Sequence, residues 1–180
     1  LNSQVERCNE ILKRLTLNPV EEDEFIDKDI NIRDYLHEII SSFKEISKKE
    51  FVFNFDQDSN PKKISKSIEI VYGLRNFIGN ANKFAKNSIF INLKSDSEFT
   101  ELTVEDDGNG YPRDIISKIG EPYLKSNYSK DKSKEGLGLG LFIGKTLLEK
   151  NFASVNCRNS KTRNGAEVII RWKNKELFNI

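Results

Sequence analysis

The 180-residue chain contains no methionine. It begins at Leu1, and because translation starts with methionine the expectation is a fragment or processed product of a longer protein, with an upstream membrane or sensor region left open. Cysteine is scarce. Cys8 and Cys157 lie far apart and make no disulfide framework, so a reducing cytosolic setting is the default. No apolar run approaches the roughly 18 residues that a membrane helix needs, and no secretory signal is visible. A charge excess is missing as well: 29 Lys and Arg stand against 28 Asp and Glu, which removes any global electrostatic case for nucleic acid. There is no internal repeat. What remains is a chain long enough to bury one sizeable core with a short appendage.

The pattern of apolar residues divides the chain. Val5, Cys8, Leu12 and Leu15 alternate spacings of three and four, which predicts a helix over 2–16 that needs a partner helix. Asn18-Pro19 and the acidic run Glu21-Glu22-Asp23-Glu24 read as a linker. A second helix is expected from about Asn31, with Ile32, Tyr35, Leu36, Ile39, Ile40 and Phe43 on its apolar face. Phe51 to Phe55 reads as a strand, and a long helix is expected after Pro61, to about Lys86. Two strands follow, Ser88 to Leu93 and Glu98 to Glu105, then a glycine-rich loop, Asp106 to Pro112. A short helix over 114–119 and a polar, lysine-rich stretch over 124–135 precede a glycine-led helix from about Leu137 to Lys150. Strands near 153–158 and 166–172, joined by a turn at Asn164-Gly165, complete the chain. Strands and helices without strict βαβ alternation predict an α+β sandwich, a mixed sheet covered on one face by helices.

Three segments carry residues suited to chemistry. Asn76, Asn80 and Lys83 lie at i, i+4 and i+7 of the long helix, on one stripe. Alone, such a stripe reads as the solvated face of an amphipathic helix. Yet asparagine is a poor residue for a helix interior, and its amide oxygen is a hard ligand of the kind a nucleotide-bound magnesium accepts. Asp106-Asp107-Gly108-Asn109-Gly110 follows a strand directly. It reads either as a tight turn or as an adenine pocket, in which a carboxylate accepts from the exocyclic amine and glycines admit the base close to the backbone. Gly136-Leu137-Gly138-Leu139-Gly140 opens a helix. The free N–H groups and positive dipole end of a helix start suit a phosphate.

The order of the three is more specific than any one of them. Asn76-Phe77-Ile78-Gly79-Asn80-Ala81-Asn82-Lys83-Phe84-Ala85 resembles the N box of the ATP-binding catalytic domain of sensor histidine kinases, within the GHKL ATPase superfamily. Asp106 to Gly110 is similar to its G1 box, Gly136 to Gly140 to its G2 box, Gly120-Glu121-Pro122-Tyr123 to its F-box region, and 124–135 to its ATP lid. The resemblance implies the two-layer GHKL (Bergerat) sandwich over 31–180, an acidic linker over 18–30, and, in 1–17, the second helix of a truncated dimerisation domain. It further implies that Asp106 contacts adenine, with Gly108, Gly110 and Tyr123 about the nucleotide. Asn80 would coordinate Mg2+, Lys83 would hold phosphate oxygens, and backbone amides of Gly136, Leu137, Gly138, Leu139 and Gly140 would line the phosphates of ATP.

The chaperone and topoisomerase ATPases of the superfamily generally carry a glutamate where this chain has Asn76. An amide cannot act as a carboxylate base, which favours phosphoryl transfer to a protein nucleophile over hydrolysis. The resemblance extends to RegB/PrrB-type redox-responsive sensors, which carry a cysteine at the position of Cys8. There the thiol reads either as a small apolar seam residue or as a redox group at a dimer interface. Cys157 reads as structural. The implied protein is the cytoplasmic portion of an inner-membrane-anchored bacterial sensor: a homodimer whose partner is a response-regulator receiver domain, reaching a membrane only through segments absent from this chain. The sole histidine, His37, lacks the following proline of a phosphoacceptor motif and reads as a half-buried helix residue, so the acceptor is expected upstream of Leu1. Gly79 and Gly144 inside helices are unexpected, and either reflect close packing or loosen the site. A non-kinase GHKL ATPase and a redox-gated interaction module with a vestigial nucleotide site are the two other readings.

Overall fold

The computed structural model describes residues 30–55, 63–64, 67–122 and 139–177. The expected helix over 2–16, the acidic linker up to residue 29 and the segment similar to the ATP lid lie outside them.

Five strands form one mixed sheet in the order β2 (Glu50–Phe55), β4 (Ser88–Ser95), β5 (Phe99–Asp106), β7 (Ala166–Lys173), β6 (Ser154–Asn159). Only β2 and β4 run parallel, and the helix that connects them makes this possible. Strands alternate in burial because one face meets the helices. In β4 the buried residues are Ile89, Ile91 and Leu93; in β7 they are Ala166, Val168, Ile170 and Trp172. Cross-strand register aligns these residues into rows: Ile91, Val104, Val168 and Cys157 form one, and Leu93, Leu102, Ile170 and Val155 the next.

Three helices make the covering layer. Helix α1 (Ile32–Lys44) starts at Asn31, whose side chain accepts the Arg33 N–H at 2.9 Å, and buries Ile32, Tyr35, Leu36, Ile39 and Ile40. Helix α2 (Ile68–Phe84) buries Ile70, Gly73, Leu74, Phe77, Ile78 and Ala81. A single turn, α3 (Arg113–Ile116), precedes α4 (Gly140–Lys150), and another, α5 (Asn174–Leu177), follows β7. Helices α2 and α4 cross at their glycines. A Cβ on Gly73 would stand 2.6 Å from Leu148 Cγ, and one on Gly144 would stand 3.0 Å from Phe77 Cε2. Gly144 is thus a packing residue. Gly79 is not tightly packed, since a Cβ there would meet only the Phe43 ring, at 3.5 Å.

The structure departs from the sequence expectations at several places, and the glycine-led helix starts at Gly140 rather than near Leu137. The long helix begins at Ile68, because Lys63-Ile64 instead form a strand, β3, antiparallel to β1 (Ile30–Asn31). The short helix covers 113–116 rather than 114–119. Asn164-Gly165 is no two-residue turn: residues 160–165 form a longer loop, closed by the Ser160 N–H donating to Gly165 O at 2.8 Å, with Asn164 at φ 61°. His37 is exposed rather than half-buried, its ring edge-on to Phe53 at 4.7 Å between centroids. Among the described residues no helix is long and apolar enough to cross a membrane.

Candidate functional site

Strand β5 carries the central carboxylate. Its burial alternates until Val104, after which Glu105 and Asp106 are both buried. Asp106 ends the helix-facing side and is 1% exposed. Two backbone N–H groups, those of Gly108 at 2.8 Å and Ala166 at 3.2 Å, donate to the same oxygen, Oδ1, so Oδ2 takes no part in either bond. Burial raises the Asp106 carboxyl above the ordinary range, and the two N–H donors oppose that rise. Asp107 turns the other way. Desolvation acts upward on it too, but N–H donors of Asn87, Ser88 and Lys86 hold it below the usual carboxylate range. Its Oδ1 accepts from Lys86 N at 2.7 Å and from Asn87 N at 3.0 Å, tying the loop to the end of α2.

The loop after Asp106 is wedged between two elements. A Cβ on Gly108 would lie 2.5 Å from the Phe84 carbonyl oxygen. Gly110 has φ +72°, a conformation that glycine adopts without strain. Asn159, at the end of β6, holds the next residue from both sides: its Oδ1 accepts the Tyr111 N–H at 2.6 Å, and its Nδ2 donates to Tyr111 O at 3.0 Å. The α2 stripe and the start of α4 form a second group. Asn76 and Asn80 are half-buried and Lys83 is exposed. The Asn76 Nδ2 donates to Tyr72 O at 2.8 Å, and a Cβ on Gly140 would stand 3.5 Å from the Asn76 Oδ1. The Asn80 side chain makes no hydrogen bond among the described residues, and the first turn of α4 has no side-chain cap, Leu139 occupying the cap position. The Lys83 ammonium lies 5.4 Å from the Phe84 ring centroid.

These features suit a nucleotide with its metal. A buried carboxylate ends a paired strand, the Asn80 amide has no side-chain hydrogen bond among the described residues, and the first turn of α4 has no side-chain cap. The structure brings together Asp106, Gly108 and Gly110, and separately Asn76 and Gly140. Tyr123, Gly136, Leu137, Gly138 and Cys8 lie outside the described residues.

Comparison with known proteins gives the family. Residues 65–176 match the family model "Histidine kinase-, DNA gyrase B-, and HSP90-like ATPase". The chain belongs to that family. Two curated relatives of this ATPase domain are sensor kinases. The sensor histidine kinase RegB of Cereibacter sphaeroides is 38% identical over 97 residues, 51% of this chain and 21% of that protein. The sensor protein RstB of Escherichia coli is 31% identical over 99 residues, 55% of this chain and 23% of that protein. The chain therefore spans about a fifth of the length of these relatives. The structure of the mycobacterial sensor histidine kinase MprB superposes with a TM-score of 0.68 at 18% identity, covering 81% of this chain and 97% of that one. The fold is accordingly that of histidine kinase ATPase catalytic domains, and these relatives favour the kinase reading over a non-kinase ATPase.

Sequence reasoning missed three residues that shape the site of this ATPase domain. Ala166, which donates to Asp106, carries no side-chain signal. Asn159 and Asp107 both act on backbone groups distant in sequence, and only Asp107, within the glycine-rich motif, stood in a segment already marked.

Proposed function

We propose that this chain is the ATP-binding catalytic module of a two-component sensor histidine kinase. It would direct the γ-phosphoryl group of Mg-ATP to a histidine on a segment other than the described residues, from which a response-regulator aspartate receives it. The observation that carries the reading is the Asn76–Asn80–Lys83 stripe. Its members are two amides and an ammonium, and α2 carries no carboxylate after Glu69. Nothing on that face can take a proton from water, so the site positions and neutralises charge rather than activating a hydrolytic nucleophile.

Each residue has a role in this reading. Asp106 accepts from the exocyclic amine of adenine. Gly108 and Gly110 let the loop beside the base pack closely on the rest of the domain, and Tyr123 contacts the nucleotide. The Asn80 amide oxygen ligates Mg2+, which, when bound, neutralises phosphate charge. Lys83 and the backbone amides of Gly136, Leu137, Gly138, Leu139 and Gly140 hold phosphate oxygens. Asn76 orients without acting as a base. Homodimerisation through 1–17, the acidic linker over 18–30 and a membrane anchor beyond this chain belong to the same proposal. A redox input at Cys8 is supported only by the likeness to RegB.

The test is labelling with γ-labelled ATP. A protein joining this chain to an acceptor-bearing helix should acquire acid-labile, histidine-type label, and Asp106→Asn should abolish it. Steady ATP turnover by this chain without an acceptor, or label on His37, would overturn the reading.

A further inference from the structure

The face of the sheet opposite the helices is solvated along most of β5, but at its end a carboxylate is buried. Glu105 is 6% exposed, although it precedes Asp106 and so points the opposite way. In register it lies between Phe90 on β4 and Glu167 on β7. A carboxylate directly across from Glu167 is unfavourable unless both are partnered. Glu167 pairs with Arg158. Glu105 is covered by the 160–165 loop: its Oε1 accepts from the Ser160 hydroxyl and from Thr162 Oγ1 at 3.2 Å, and its Oε2 accepts from Arg163 Nε at 3.2 Å. The Arg163 guanidinium also lies over the Phe90 ring, 3.5 Å from its centroid. Ser160 in turn accepts the backbone N–H groups of Thr162 at 3.1 Å and Arg163 at 2.9 Å.

This loop delivers Gly165 and Ala166 to the other face. A Cβ on Gly165 would lie 1.8 Å from the Asp106 carbonyl oxygen, and Ala166 donates to the Asp106 carboxylate. The base of the loop is closed by the Ser160 N–H to Gly165 O bond and by the pairing of Ala166 with Asn159, but residues 161–164 have no regular structure of their own. We infer that Glu105 is a positioning residue for nucleotide selection: by gripping Ser160, Thr162 and Arg163 it fixes the loop that leads into Ala166, the first residue of β7, whose N–H orients the Asp106 carboxylate. The inference rests on the proposed role of Asp106 as the reader of adenine. Two adjacent carboxylates on one strand thus divide the work: one meets the base, the other holds the loop that aims it.

The experiment compares ATP with inosine triphosphate, in which an oxo group replaces the 6-amine, by calorimetric titration of the 180-residue chain with magnesium present. Wild type should prefer ATP, and Asp106→Asn should remove the preference. Glu105→Ala should lower the ATP-to-ITP ratio about fivefold to tenfold, because an imprecisely aimed carboxylate loses part of a charged hydrogen bond. Glu105→Gln, which keeps acceptors for Ser160 and Thr162, should recover most of the ratio. Amide exchange at Ala166 should accelerate in Glu105→Ala and not in Glu105→Gln. Should Glu105→Ala fail to fold, Arg163→Ala removes one contact of the same grip and should shift the ratio in the same direction. An equal loss of affinity for both nucleotides, or an unchanged ratio, would show Glu105 to be merely structural and overturn the inference. Wild type that does not discriminate would overturn the reading of Asp106 itself, and the inference with it, before any Glu105 variant is measured.

Discussion

Replacing Gly165 by alanine tests how the 160–165 loop meets the site. The added Cβ would sit 1.8 Å from Asp106 O, where ordinary contact begins near 3.4 Å, so backbone must separate by about 1.6 Å. The obstructing atom is a carbonyl oxygen at the end of a paired strand and cannot rotate aside. The separation breaks the Ala166 bond to a charged carboxylate, about 1.5–3 kcal/mol, and the Ser160 bond to Gly165 O, about 1 kcal/mol. The expected loss is about 2.5–4 kcal/mol of stability. Urea unfolding followed by the fluorescence of Trp172, the single tryptophan and fully buried in β7, would measure it. Gly79→Ala is the control of opposite sign. A Cβ there meets only the Phe43 ring at ordinary distance, so the gain in helix propensity, about 0.5–1 kcal/mol, should appear as added stability. A Gly165→Ala midpoint at or above wild type would refute the reasoning, as would a Gly79→Ala loss of similar size.

Asp106→Asn should bind ATP at least about tenfold more weakly yet be as stable as wild type or more so near neutral pH. The raised folded-state pKa of Asp106 means that its contribution is fully present only below the unfolded carboxyl pKa and is lost as pH rises through the folded value, so the ionised form is a burden at neutrality; a lower thermal midpoint at pH 7 would contradict this. Burial pushes the Cys157 thiol up from 9.0 to about 11. It should therefore react with a thiol reagent at pH 8 far more slowly than free cysteine, and its stabilising contribution should fade as pH rises from 9 to 11, a slope absent from Cys157→Ser. Tyr111→Phe removes a buried hydroxyl that reaches the weakly polar Cys157 thiol without a well-formed hydrogen bond among the described residues, so urea unfolding should stay within about 1 kcal/mol of wild type. Asn159→Ala strips both backbone partners from Tyr111 and should cost about 1–3 kcal/mol by the same measurement.

Much of this protein is written in local pattern. The i, i+3, i+4 stripe of Ile32, Tyr35, Leu36 and Ile39 specifies α1, because only helical geometry puts those side chains on one face. The alternation in β4 and β7 specifies half-buried strands. Asp106 with its two glycines and the Asn76–Asn80–Lys83 stripe were legible because close backbone approach and facing polar groups constrain residue type locally. Other features depend on partners distant in the chain. Lys63-Ile64 became a strand by pairing with residues 30–31. Gly73 and Leu148 meet only where two helices cross. Glu105 ends a strand with no local sign of burial, and a loop more than fifty positions later closes over it. Sequence by itself determined most of the elements, the faces they bury and the motifs of the ATPase family. Only tertiary structure decided which backbone N–H groups orient the Asp106 carboxylate, since every backbone amide is the same donor until folding places it.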